Sequence, residues 1–149
     1  MVRIVVGGQI NKQEICAFTK NFCGSAATVD VKNDLDAAMA MQAGQYDYYI
    51  GACNTGGGGA LALAMALLGA GICQTVSMPG KISSDEEIIG AVKAGKKAFG
   101  FTAQHAEMVL PVLLKAILEK YILKGEKLYH GISEVHCYHC HRCSGFYAG

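Results

Sequence analysis

Residues 47–65 read Asp-Tyr-Tyr-Ile-Gly-Ala-Cys-Asn-Thr-Gly-Gly-Gly-Gly-Ala-Leu-Ala-Leu-Ala-Met. Tyr48 to Ile50 are aromatic and β-branched, the residue types that suit a pleated surface. Ala60 to Leu68 holds only Ala, Leu and Met, strong helix formers with no branch at Cβ. Between them, Gly56, Gly57, Gly58 and Gly59 open backbone conformations closed to other residues. The expectation is a buried strand, a glycine loop and an apolar helix. Such a junction gathers free N–H groups and the positive end of a helix dipole at one spot, which suits an anion. Cys53, Asn54 and Thr55 bring a thiol, an amide and a hydroxyl to the same spot.

The same alternation extends in both directions. Val2 to Val6 is a β-branched run ending at Gly7-Gly8. Asn11 and Glu14 have capping-box spacing, so a helix is expected to about Phe22. A second strand spans Ala27 to Val31, and Asp34 can cap a helix from Leu35 to about Ala43, with Gly44 in the C′ place. After the apolar helix, Ile72 to Met78 reads as a fourth strand ending at Pro79-Gly80. Ser83 with Glu86 opens a helix through Lys93, Lys97 to Thr102 is a fifth strand, and Ala103 to Leu123 a long last helix. Pro111 either kinks that helix or begins a second piece. Strict alternation predicts a small three-layer, doubly wound α/β fold, flavodoxin-like or Rossmann-like, with about five parallel strands. Residues 1–124 are read as this domain, and 125–149 as a linker and tail.

Composition narrows the function classes. At 149 residues, 52% of them hydrophobic and 17% charged, the chain is long and apolar enough for a sizeable core. A net charge of +1 offers no nucleic-acid surface. No charged residue lies between Tyr48 and Gly80, yet the continuous apolar part, Ala60 to Cys73, is 14 residues and too short to span a membrane. The start of the chain does not read as a signal peptide. Seven cysteines in such a chain fit free thiols in a reducing cytoplasm better than a disulfide framework.

In a doubly wound sheet, ligands sit at the carboxyl ends of the strands. Those ends are Gly7-Gly8-Gln9, Asn33-Asp34, Cys53-Asn54-Thr55, Pro79-Gly80-Lys81 and Thr102 to His105. Candidate ligand-binding residues are therefore Gly7, Gly8, Gln9, Asn54, Thr55, Gly56, Gly57, Gly58, Gly59 and Lys81. The loop is not a Walker motif, since no Gly-Lys-Ser or Gly-Lys-Thr follows, and it is not the dinucleotide fingerprint expected after a first strand. The four glycines could instead serve close helix–sheet packing. Cys53 is either a buried small hydrophobe or, beside a helix N-terminus, a base or nucleophile with a lowered pKa. His105 is either an acid–base group or a helix-surface histidine. Lys81 neutralises an anion or is an ordinary surface lysine. Gly7-Gly8-Gln9 could form a second donor nest.

The tail reads His136-Cys137-Tyr138-His139-Cys140-His141-Arg142-Cys143. His136, Cys137, His139, Cys140, His141 and Cys143 form a dense soft-ligand set that suits Zn²⁺, although structural zinc sites use two separated ligand pairs and this is one cluster.

Residues Asp36 to Leu61, with Lys97-Ala-Phe-Gly and His105, resemble the YhfU-like family of short bacterial proteins known only as a domain of unknown function. The resemblance covers about residues 1–122. It implies a cytoplasmic bacterial protein and supplies no activity. A second resemblance covers about 25 residues: strand, Cys53-Asn-Thr-Gly-Gly-Gly and an Ala-rich helix are similar to the Cys-Gly-Thr-Gly-x-Gly segment of type-B ribose-5-phosphate isomerases. It implies Cys53 as the base that moves a proton, with Thr55, Gly56, Gly57 and Gly58 cradling the enediolate. Asn54 replaces a glycine of that pattern, Gly7-Gly8-Gln9 stands where the family has Asp-His, and the chain's arginines are Arg3 and Arg142. Three functions follow: a binding protein for a small anionic metabolite (a phosphorylated or carboxylated sugar), an isomerase- or lyase-like enzyme using Cys53 and His105, or an oligomeric accessory subunit. The apolar helix has no polar stripe, so a homo-oligomer is expected.

Overall fold

The structure, a computed structural model, describes residues 1–123. The main strands are β1 (Val2–Gly8), β2 (Ala27–Val31), β3 (Tyr48–Cys53), β4 (Cys73–Thr75) and β7 (Ala98–Thr102), with a separate hairpin of β5 (Ser77–Met78) and β6 (Lys81–Ile82). The helices are α1 (Lys12–Cys23), α2 (Asp34–Gln42), α3 (Gly58–Leu68), α4 (Asp85–Lys93) and α5 (Ala106–Leu123). The five main strands form one parallel sheet in the order β2-β1-β3-β7-β4. The α/β fold is that expected from the alternation. The order departs from the flavodoxin-like 2-1-3-4-5 arrangement in its last two strands. β7 is buried along its whole length and takes an inner place, whereas β4, with Gln74 and Thr75 half-buried, takes the edge.

Pleating divides the core into two. Val2, Ile4, Val6, Ile50, Ala52, Phe99 and Phe101 face α1, α4 and α5. Val5, Tyr49 and Ala98 face α2 and α3, where they meet Ala37, Met41, Leu61 and Ala64. Helices thus cover both faces, which is why the strands read as near-continuous apolar runs. Among the described residues no helix is long and apolar enough to cross a membrane.

Several boundaries differ from the sequence reading. Asn11 precedes α1 with φ 54° and makes no side-chain cap, so the Asn11–Glu14 box does not form. Asn33 rather than Asp34 caps α2, accepting from Asp36 N at 2.8 Å. The box on α4 is Ser84 with Glu87, one residue later than Ser83 with Glu86. The run 72–78 is split: a turn at Ala70–Ile72, then β4, then the hairpin. Pro79-Gly80 is therefore the hairpin turn and not the end of a sheet strand. A turn at Ala103–His105 precedes α5, which runs as one helix through Pro111. Gly44 and Gly95 take positive φ just beyond α2 and α4, the C′ role expected of Gly44.

Candidate functional site at the carboxyl edge of the sheet

The carboxyl ends of β1, β3 and β7 meet under the glycine loop. Three glycines lie in one register row across these strands, Gly7 to Gly51 to Gly100. This row is a floor that nothing larger could make. A Cβ on Gly7 would lie 2.5 Å from the Tyr49 ring, and one on Gly51 would lie 2.8 Å from the Tyr49 hydroxyl. On Gly100 it would lie 2.5 Å from the Gly56 carbonyl oxygen. Tyr49 and the loop therefore sit directly on bare backbone.

The loop is fixed from three sides. Gly56 has φ 80°, and a Cβ there would lie 1.8 Å from the Ser77 carbonyl oxygen. Gly57 approaches the Thr75 hydroxyl, and the Gln9 amide reaches across to Gly59. Gly56 and Gly57 thus meet the packing role that the glycines could serve, and Gly58 and Gly59 shape the start of α3. That helix begins at Gly58, and its N-cap residue, Gly57, provides no side-chain acceptor. The N–H groups of Gly58 and Gly59 are left without a capping partner at the positive end of the helix dipole.

Cys53 lies beneath this turn at 1% exposure. Its Sγ accepts from Gly56 N at 3.1 Å and lies 3.4 Å from Thr55 Oγ1. Burial works against ionisation. The Thr55 hydroxyl and the N–H groups of Ala60, Thr55 and Gly56 outweigh it and hold the thiol below its ordinary pKa. By contrast, burial alone pushes Cys23 up to about 11. The four described cysteines, Cys16, Cys23, Cys53 and Cys73, are buried and unbridged.

The end of β1 serves a different purpose from the one its glycines suggested. Gly8 N donates to the Asp34 carboxylate and, at 3.1 Å, to the Tyr49 hydroxyl. Gln9 N donates to Ala52 O at 2.8 Å. These donors are occupied by the protein itself, so Gly7-Gly8-Gln9 is a joint rather than an open nest. The Tyr49 hydroxyl donates in turn to Ala60 O at 2.6 Å, which ties β1, α2 and the first turn of α3 together. Burial first, and then the nearby Asp34 charge, raise the Tyr49 pKa, so its hydroxyl stays protonated as that donor.

β7 contributes Thr102, in register with Cys53. Thr102 N donates to Ser77 Oγ at 3.0 Å, and both residues are buried. Among the described residues, Thr102 Oγ1 and His105 Nδ1 are buried polar atoms without a hydrogen-bond partner. Tyr49 and Ser77 were not legible as site residues, since both pass for strand positions, while Asp34 and Thr102 stood at ligand-bearing strand ends without being singled out. The signal available was their place at or near strand ends.

Lys81 is exposed and lines a groove of about 610 Å³ between β4, the hairpin and α4, with Ser77, Ser83, Glu87 and Lys96. Among the described residues no cluster of His, Cys, Asp and Glu side chains could hold a metal ion. The proposed ligand set His136 to Cys143 lies outside the described residues.

A parallel α/β sheet with a glycine loop and a donor-bound cysteine at its carboxyl edge defines the class of protein. The chain belongs to the DUF2620 family, described as a protein of unknown function, whose model matches residues 2–117. It is 39% identical over 114 residues to the uncharacterized protein YhfU of Escherichia coli K12, covering 76% of this chain and 97% of that one. The same values hold for the YhfU proteins of Escherichia coli O6:H1 and Shigella flexneri. No solved structure matches the chain.

Proposed function

We propose that the Cys53–Gly59 loop binds a small anionic metabolite, a phosphorylated or carboxylated sugar. The observation that carries this reading is the first turn of α3, whose Gly58 and Gly59 N–H groups lack a capping side chain while Gly56 N already points at a sulfur. Gln9, Asn54 and Thr55 border the same turn, and Lys81 lies on the hairpin that supports Gly56. A second reading, an isomerase- or lyase-like enzyme, is favoured by the lowered Cys53 pKa. In it the thiolate takes a proton from carbon beside a carbonyl, the loop N–H groups hold the enediolate oxygen, and His105 supplies the acid. A third is an oligomeric accessory subunit. Leu63 on α3 and Leu35 and Met39 on the adjoining α2 are exposed, which suits a homo-oligomer. Four unbridged thiols suit a cytoplasmic setting. The tail's Cys/His set is read as a Zn²⁺ site.

A thermal-shift panel of sugar phosphates, nucleotides, small carboxylates and Zn²⁺ tests these readings on wild type and Cys53→Ala. A ligand at 100 times its Kd adds about 2.7 kcal/mol of stability. A shift with one phosphorylated or carboxylated compound, retained in Cys53→Ala, supports binding by the backbone. Turnover of that compound by wild type and none by Cys53→Ala supports the enzyme. A flat panel counts against the anion reading.

A further inference from the structure

The floor of the site differs in chemistry from its rim. The rim, at Gly58 and Gly59, offers only N–H donors. The floor offers an atom that can accept, Thr102 Oγ1, in register beside Cys53, whose Sγ is already held by the loop donors. Ala98 packs in the α2 and α3 layer, and Gly100 lies under Leu61 and the Gly56 carbonyl. Thr102, two residues further along the same pleat, points to that face too and so lies beneath the loop. It is 4% exposed, its N–H is held by Ser77, and its hydroxyl has no partner among the described residues. His105 Nδ1, three residues on, is also a buried atom without a partner among the described residues, on a half-buried ring. Buried hydroxyls nearly always have a partner, and a group left without one marks a place where another molecule's polar atom belongs.

We infer that Thr102 contacts the ligand, and that the ligand carries a hydroxyl one or two carbons from its oxyanion. This rests on the anion reading above. The oxyanion takes the rim donors. A second oxyanion on the floor would face an ionisable sulfur, whereas a hydroxyl can exchange hydrogen bonds with Thr102. Hydroxylated carboxylates and hydroxylated phosphate esters share this chemistry.

The test uses the full chain and four probes in two pairs: glycolate against acetate, and glycerol 1-phosphate against methyl phosphate. Dissociation constants come from amide chemical-shift titrations of wild type, Thr102→Val and Thr102→Ser. In wild type, the hydroxylated member of at least one pair binds about tenfold tighter than its partner, the ratio one buried hydrogen bond of ordinary strength gives. The responding pair identifies carboxylate or phosphate. Thr102→Ser keeps the ratio, and Thr102→Val brings it to one while the unhydroxylated probe binds as before. Thr102→Val also melts no lower than wild type, because the hydroxyl it removes holds nothing in the protein. Equal binding within both pairs, a ratio that survives in Thr102→Val, or a lowered Tm overturns the inference and leaves the anion reading standing. Failure of all four probes to bind removes the anion reading and this inference together.

Discussion

Replacing Gly56 with Ala tests how firmly the loop is seated, and Gly69→Ala supplies the reference. Both glycines have left-handed backbones, φ 80° and φ 87°. Around Gly69 an added Cβ meets nothing within 4 Å, so Gly69→Ala carries a backbone cost alone, about 1–3 kcal/mol. At Gly56 the same Cβ would lie 1.8 Å from the Ser77 carbonyl oxygen and 3.2 Å from Met78 Cα. These are backbone atoms, and no rotamer change relieves the contact. Overpacking of this kind adds about 1–3 kcal/mol. Gly56→Ala is therefore expected to lose about 1–3 kcal/mol more than Gly69→Ala. Urea unfolding of the two variants beside wild type measures both losses, and an unchanged m-value licenses the comparison. The loop must also leave the hairpin in Gly56→Ala, taking Gly56 N away from Cys53 Sγ, so the Cys53 pKa should return toward the ordinary thiol value. Equal losses in the two variants, within about 0.5 kcal/mol, would refute the claim that packing on Ser77 holds the loop.

Three further outcomes are expected. Tyr49→Phe removes the hydroxyl that accepts from Gly8 N and donates to Ala60 O, and should cost about 1–2 kcal/mol in urea unfolding; no loss would mean the joint between β1 and α3 lies elsewhere. Asp47 is partly desolvated, which raises its pKa, but the hydrogen bonds and charge of Arg3 prevail and lower it. A lowered carboxylate pKa stabilises the fold above the unfolded value, near 4, and that contribution disappears as pH falls through the folded one. The stability difference between wild type and Arg3→Gln should thus be at most about 1 kcal/mol at pH 6 and shrink below pH 4, and a difference that grows in acid would contradict the assignment. Leu63, Leu35 and Met39 should make a self-association surface: light scattering is expected to give a dimer at micromolar concentration and a monomer for Leu63→Glu, and a monomeric wild type would remove the homo-oligomer reading.

Much of the fold could be read from residue types because strand and helix alternate with clear punctuation. Gly44 stops its helix where expected, and the all-apolar α3 could only be a helix against a sheet. What failed was local competition among polar residues. Asn33 and Asp34 are both good caps, as are Ser83 and Ser84, and nothing in the residues themselves says which side chain folds back on the helix. The strand order is set by burial: Ala-Phe-Gly-Phe-Thr at 98–102 is buried on both faces and so goes inside, while three-residue β4 goes to the edge. The site was visible as a glycine loop with a cysteine. Its floor was not, because Gly7, Gly51 and Gly100 are far apart in sequence and matter only once register aligns them. Ser77 was hidden for the same reason, and Thr102 was legible only as a strand end.

The central claim is that donors at the start of α3 converge on one point and stabilise negative charge there. Its most direct test is the titration of the Cβ resonances of ¹³C-labelled cysteines in the full chain, with Cys53 assigned by its loss in Cys53→Ser. Cys53 is predicted to ionise below the ordinary thiol value while Cys23 titrates at about 11. A Cys53 that ionises at or above the ordinary value would contradict the claim, since burial would then outweigh the N–H groups of the loop.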